Sequence, residues 1–280
     1  MKIIGKVVHG RGEGNTFGFP TANIETSSPL PKNAGVYCGI IKFNNERYPT
    51  VVNIGSCPTF SVENETVEAH IIGFNGNLYG AEVTLIIREK IRDIKKFDTP
   101  LQLKDQIEID KENCLLYLRN SSLCFSGHRQ ERLPKDPDEL RRLKVNLYAI
   151  IDDAIADGMR TFYYGGCEGF DMLSALAVIA KKNIAPEISD EIELIAVVPF
   201  QNQDCKWNSI LRKDYKNLLS KCDHIITLNE NYIYGCYHER NRYMVDHSSR
   251  LICYYDGGKG GTKYTVDYAL KNGLDVVNLF

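Results

Sequence analysis

The chain has 280 residues, a formal net charge of −2 and a pI near 6.3. That length accommodates two domains, each burying a core of its own. The near-neutral charge removes the global electrostatic case for nucleic acid or an acidic membrane as partner and leaves small-molecule chemistry.

Nine scattered cysteines with no Cys-x-x-Cys pair fit a reducing compartment rather than a disulfide framework or a zinc site. With no secretory h-region at the start and no apolar run of membrane-spanning length, the sequence predicts a cytoplasmic protein.

Residues 2–8 alternate like a strand. They lead into the stretch from Gly10 to Asn23, in which Gly10, Gly12, Gly14 and Gly18 give a backbone free to approach a ligand and turn its amides toward phosphate oxygens. Directly after it, Thr21 and Asn23 offer two neutral oxygen ligands one residue apart, a pattern suited to Mg²⁺ accompanying a nucleotide. Glycines alone favour the plainer reading, a hairpin followed by a polar strand.

Short apolar runs at 35–43, 50–54, 66–72 and 81–87, separated by Gly, Asn and Pro, predict antiparallel strands closing into a small barrel. In the run from Thr66 to Ile72, Glu68 and His70 share one face. On an inward wall, Glu68 requires a partner or a task, such as taking the proton of an attacking alcohol; on an edge strand it is simply solvated. Asp98-Thr99-Pro100 then predicts a helix start, and Leu101, Leu103, Ile107, Leu115, Leu116 and Leu118 an apolar stripe.

Gly5-Lys6-Val7-Val8-His9-Gly10, Phe17-Gly18-Phe19-Pro20-Thr21-Ala22-Asn23, Asn53-Ile54-Gly55, Val67-Glu68-Ala69-His70 and Ile91-Arg92, in this order, resemble riboflavin kinase over residues 1–119. The resemblance implies a six-stranded Greek-key barrel with a C-terminal helix that moves the ATP γ-phosphate to the 5′-hydroxyl of riboflavin, giving FMN. By position it implies that Thr21 and Asn23 hold Mg²⁺ and ATP, Gly12 and Gly14 belong to a flap over the phosphates, Glu68 activates the hydroxyl, and Arg92 lies on the flavin side. Ile94 and Cys57 depart from the family pattern around the flavin. Since the kinase pattern begins at Met1, with no adenylyltransferase segment ahead of it, FAD synthesis by this chain is not expected.

From Ser122 to Phe280 apolar strands alternate with helical segments, which predicts a Rossmann-like parallel sheet with ligands at the carboxyl ends of its strands. Three glycine motifs fall at such ends: Ser126-Gly127-His128-Arg129, Gly165-Gly166 with Gly169-Phe170-Asp171, and Gly257-Gly258-Lys259-Gly260-Gly261-Thr262. Loops at helix N-termini favour anions, so a nucleotide or phosphosugar is the expected guest. Arg129, Arg240 and Asn241 offer phosphate or ribose contacts, or are solvated helix-end groups. Asp171 either binds a ribose hydroxyl or caps its helix, with capping the plainer reading. Trp207 reads as core, and Cys236 with His238 lacks the companions a metal site needs.

These motifs, with Pro199, Trp207 and Arg240-Asn241, resemble the YpsA-like branch of the SLOG superfamily over residues 122–280. The resemblance implies a nucleotide-derived ligand at Gly127, Arg129, Gly165, Gly166, Asp171, Arg240, Asn241, Gly260, Gly261 and Thr262. The catalytic Arg-Glu pair of the phosphoribohydrolase members is not recognisable, so their activity does not transfer.

The expectation is thus a riboflavin kinase joined to a nucleotide-binding or sensing domain, with ATP, riboflavin and a divalent cation as partners and neither nucleic acid nor membrane. The alternatives are a non-catalytic flavin and nucleotide sensor, or a bifunctional enzyme whose second domain hydrolyses a nucleotide.

Overall fold

The computed structural model describes residues 1–9, 21–56 and 65–280, and the chain divides into two compact units, residues 1–118 and 119–280. Gly12, Gly14 and Cys57 lie outside the described residues.

In the first unit, strands β1 (Lys2–Val8), β2 (Thr21–Thr26), β3 (Gly35–Phe43), β4 (Glu46–Ser56), β5 (Glu65–Ile71) and β6 (Glu82–Arg92) form a closed barrel in the order β1-β2-β5-β4-β3-β6. All pairs are antiparallel, and β1 against β6 closes the ring, with Ile3 opposite Leu85. The barrel is filled by alternate apolar residues, among them Ile3, Val52, Ile54, Val67, Ala69 and Leu85.

This alternation corrects one expectation. Val67, Ala69 and Ile71 of β5 occupy the barrel core, so Glu68 and His70 face outward, not onto an inner wall. Six strands enclose too narrow a space for a carboxylate and its partners beside the apolar filling.

Helix α1 (Pro100–Asn120) covers part of that outer surface. Thr99 caps it, its hydroxyl accepting the Gln102 N–H at 3.3 Å. The apolar stripe differs from the expected one: Leu101, Leu115 and Leu116 are exposed, and the buried positions are Asp110 and Cys114. Cys114 packs with Val36, Cys38 and Val51 on the barrel's outer surface. Asp110, bonded to Arg92 of β6, fixes the helix phase.

The second unit is a six-stranded parallel sheet in the order β10-β9-β8-β7-β11-β12. Its strands are β7 (Ser122–Gly127), β8 (Thr161–Tyr164), β9 (Glu193–Val198), β10 (His224–Thr227), β11 (Arg250–Tyr254) and β12 (Asp275–Asn278). Between them run α2 (Pro137–Ala156), α3 (Phe170–Ile184), the one-turn α4 (Pro186–Ser189), α5 (Ser209–Leu219), α6 (Cys236–Asp246) and α7 (Gly261–Lys271).

Successive strand residues feed opposite faces. Leu123, Phe125, Phe162 and Leu194 pack with Leu147 and Ile151 of α2 and Val178 of α3. Cys124, Tyr163, Ile195 and Leu251 pack with Met244 of α6 and Ala269 of α7. Burial on both faces is why these strands read as unbroken apolar runs.

Strand order runs outward from β7 in both directions, so the loops leaving β7 and β11 part and open a crevice at the sheet's carboxyl edge. No helix of the described residues is long and apolar enough to cross a membrane.

Asp136 caps α2, accepting the backbone N–H groups of Asp138 at 3.0 Å and Glu139 at 2.9 Å. Asp136→Ala is expected to cost about 1 kcal/mol, read as a lower urea midpoint in tryptophan fluorescence. The single tryptophan, Trp207, lies in this unit.

Candidate functional site

Strand register assembles the first site. Thr21 stands opposite His70 and Asn23 opposite Glu68 across β2 and β5, while Val51 and Asn53 of β4 stand opposite His70 and Glu68. Directly opposed residues share a face. The outer surface of three adjacent strands therefore presents Thr21, Asn23, Asn53, Glu68 and His70 together.

Thr21, Asn53, Glu68 and Arg92 line a cavity of about 260 Å³ whose other wall includes Leu103, Ile107 and Asp110 of α1. Ile94, one of the departures from the family pattern, also lines it. A second cavity of about 160 Å³ is bordered by Phe74, Leu78 and Tyr79. Thr21 borders both.

Arg92 reaches the expected cavity, but its fork is engaged. Nε lies 3.0 and 3.1 Å from the two Asp110 carboxylate oxygens and Nη2 lies 2.7 Å from Oδ2. Gln106 Nε2 donates to Asp110 Oδ1 at 3.0 Å. A bidentate pair of this kind fixes both partners, so Arg92 and Asp110 clamp α1 to the end of β6.

Asp110→Asn removes the charge that the fork grips. It is expected to cost about 1–3 kcal/mol, seen as a lower urea midpoint by far-ultraviolet circular dichroism; an unchanged midpoint would mean that Arg92 finds another acceptor.

Two residues of this site escaped sequence reasoning. Asp110 interrupts the apolar stripe of a helix, a visible anomaly. Asn53 sits between the core residues Val52 and Ile54, and its buried Oδ1 has no hydrogen-bond partner among the described residues.

The second site occupies the crevice beside β7 and β11. A cavity of about 210 Å³ is lined by Gly127, Arg129, Asp171, Arg240, Asn241, Gly260, Gly261 and Thr262, all expected, and by Arg132, Lys259 and Lys263. Five cationic side chains and one carboxylate, Asp171, line it. Arg132 is paired with Asp256, Lys263 with Asp267 at 2.6 Å, and Arg240 is bonded to Asn241 and Gly165, which leaves Arg129 and Lys259, with the glycine-loop amides, as the groups that suit an anion. Gly260, at φ +145°, takes a backbone conformation that side chains disfavour and precedes the first turn of α7.

Gly165 and Gly166 are not in the lining. Their carbonyls are bonded from behind, Gly165 by Arg240 Nη1 and Gly166 by Gln203 Nε2 at 3.0 Å. A Cβ on Gly165 would strike the Arg240 guanidinium, so this glycine admits a close side chain, not a ligand.

Asp171 does not cap α3 either. Its N-cap is Gly169, with no side-chain cap bond, and Asp171 is the helix's second residue, buried and bonded to backbone groups of Cys167 and Gly165. Burial raises its carboxyl above the ordinary range, with Arg240 and Arg129 pulling the other way.

Arg240 and Asn241 line the cavity but spend their polar groups on bracing. Arg240 Nε donates to Asn241 Oδ1 at 2.7 Å, Asn241 Nδ2 to Thr265 Oγ1 at 2.7 Å, and Thr265 Oγ1 to the Gly261 carbonyl at 3.0 Å. This chain of bonds ties the loop after β8 to the start of α7.

On the far wall, His128 Nε2 stands 2.9 Å from Asp256 Oδ1, and Arg132 also holds Asp256. The Gly258 backbone N–H, then Arg132 and His128, hold the Asp256 carboxyl down to about 2. Its stabilising contribution is therefore present above the unfolded carboxyl value and lost as pH falls toward 2. Trp207 is half-buried against Tyr215, ring centroids 5.0 Å apart, away from the cavity lining. His238 packs on Tyr264 at 4.1 Å.

A model described as the YspA SLOG family matches residues 123–275, more than half of the chain. The chain belongs to that family. A further SLOG relative is an uncharacterized SPbeta prophage-derived protein, YoqJ, of Bacillus subtilis, 33% identical over 50% of this chain and 86% of that protein.

Ahead of the SLOG domain, a riboflavin kinase model matches residues 1–118. The bifunctional riboflavin kinase/FMN adenylyltransferase of B. subtilis is 38% identical over 42% of this chain and 39% of its own length. The SLOG-family chain thus spans about two fifths of the length of that curated relative. A solved riboflavin kinase from Trypanosoma brucei aligns at 31% identity over 42% of this chain and 78% of that one, with a TM-score of 0.31.

Proposed function

We propose that the first unit transfers the γ-phosphoryl group of ATP to the 5′-hydroxyl of riboflavin, making FMN, and that the second binds a nucleotide. The observation that carries the kinase reading is Thr21: it borders one cavity holding a carboxylate and another walled by Phe74 and Tyr79, which suits a nucleobase. Phosphoryl transfer needs two substrates to meet end to end, and a residue common to both cavities stands where they would meet.

In this reading Glu68 accepts the hydroxyl proton as the new P–O bond forms, and the apolar α1 wall with Ile94 takes the flavin ring. Thr21 and Asn23 supply hard, neutral oxygens on the same sheet face as Glu68, a donor set that fits Mg²⁺ completing its shell with water and phosphate. When bound, that ion neutralises phosphate charge. Asn53, whose side-chain oxygen has no partner among the described residues, orients the hydroxyl or a neighbouring ribityl oxygen. The reaction takes place in the cytoplasm.

Arg129 and Lys259 at the crevice support an anionic ligand for the second unit, and its position at the strand-order reversal supports a nucleotide.

The full chain incubated with riboflavin, ATP and Mg²⁺ is expected to yield FMN, separated by chromatography. Retention of riboflavin without FMN formation would instead make the barrel a flavin-binding module.

A further inference from the structure

The crevice cavity is lined by charged groups and glycines suited to phosphate, and it offers little flat apolar surface to a base. His128 is buried and held against Asp256. One rim is different. Tyr237, in the first turn of α6, lines the cavity and is 38% exposed. It continues outward into Phe200 and Tyr232.

The three rings form a contiguous cluster. Phe200 lies 5.5 Å from Tyr232 and 6.0 Å from Tyr237, centroid to centroid, both edge-on, and Tyr232 lies 6.5 Å from Tyr237. Phe200 and Tyr232 come from the loops after β9 and after β10 and Tyr237 from the start of α6, at the same carboxyl edge of the sheet as the cavity.

Those loops are tied together. The Gln201 N–H donates to the Asn229 carbonyl at 3.0 Å, and Asn229 Nδ2 donates to the Pro199 carbonyl and to Glu239 Oε2, each at 2.9 Å. The cluster is a built shelf, yet Tyr232 remains 60% exposed. A cluster of exposed aromatic rings beside a cationic cavity is suited to a ligand that joins a planar ring to an anion.

We propose that Phe200, Tyr232 and Tyr237 form the base subsite of the second unit: a purine ring stacks on this shelf while its 5′-phosphate occupies the cavity beside Arg129 and the Gly258–Gly261 loop. This rests on the nucleotide reading above and deepens it. The rings stand at 56–84° to one another, so a base stacks on one ring face and meets the edges of the others, and the wider purine reaches more of them than a pyrimidine does. Phosphate grip supplies the charge term and the shelf the discrimination between bases.

The test is calorimetric titration of the full chain with AMP, CMP and ribose 5-phosphate, using the parent, Tyr232→Ala, Phe200→Ala and Tyr232→Phe. Expected are AMP tighter than CMP and ribose 5-phosphate, a loss of about ten-fold in AMP affinity with either alanine variant, unchanged ribose 5-phosphate affinity, and rescue by Tyr232→Phe. Tyr232 is exposed, so misfolding does not complicate the comparison.

Ribose 5-phosphate and AMP binding equally well, with AMP indifferent to the alanine variants, would overturn the shelf and leave the nucleotide reading standing. Failure of both ligands to bind would overturn that reading and the shelf with it. Tighter binding of a single-stranded 12-mer than of any mononucleotide, weakened by Tyr232→Ala, would overturn the assignment by making the occupant a nucleic acid strand.

Discussion

Glu68→Gln is expected to slow riboflavin phosphorylation by about 100-fold or more while leaving the KM for ATP unchanged. The amide keeps the volume and the hydrogen-bonding reach of the carboxylate on β5 but cannot take up a proton. Asn23 and Asn53, which flank Glu68 in register, are untouched by the change, so nucleotide and metal contacts persist and the loss falls on kcat. Steady-state kinetics with FMN quantified by chromatography reads it. His70 lies two residues along on the same face and also lines the cavity. If Glu68→Gln retains its rate and His70→Gln loses it, the proton acceptor is the imidazole and the carboxylate role is wrong.

What the sequence disclosed about these sites follows from which physical signals are local. Apolar alternation marked the barrel strands, but β2 carries a single fully buried apolar residue, Ile24; its polar outer face belongs to the site, so only the Thr21-x-Asn23 motif marked it. Period two placed Glu68 and His70 together without saying which side of the closed sheet they take, a question settled by the barrel's capacity. The α1 stripe misled because Leu115 and Leu116 are helix-favouring residues on an exposed face, whereas the pairing with Arg92 that sets the helix phase is distant in sequence.

In the second unit, strand and helix alternation was plain, and glycine motifs located the crevice. The roles within it were not legible. Arg240 and Asn241 look like ligand contacts from composition, but their bonds to Gly165 and Thr265 span dozens of residues, and only the assembled loops show those groups already spent. Phe200 and Tyr232 likewise join one shelf only because β9 and β10 are adjacent.

That bracing predicts the largest stability effect. Arg240→Met is expected to destabilise the second unit by about 3–5 kcal/mol, because it keeps the side chain's bulk but leaves the buried Asp171 carboxylate with one guanidinium fewer and the Gly165 carbonyl without its donor. Urea unfolding followed by the fluorescence of Trp207 reads it. That tryptophan packs on Tyr215, whose hydroxyl accepts from Gln203, the side chain that also holds the Gly166 carbonyl. The pH dependence separates lost charge pairing from lost packing. Asp171 has a raised carboxyl pKa in the folded state, so the folded chain holds its proton more readily than the unfolded one, and the group's contribution to stability falls as pH rises through its folded value. Removing Arg240 takes away a cation that opposed this shift and moves the folded value further up. The deficit of the variant relative to the parent should therefore be larger at the higher of two pH values, where Asp171 must be buried charged, and smaller at the lower, where protonation relieves it. A deficit of the same size at both pH values would assign the loss to packing and to the Gly165 carbonyl, and no deficit at all would mean that Arg240 is not what joins the loop after β8 to the start of α7.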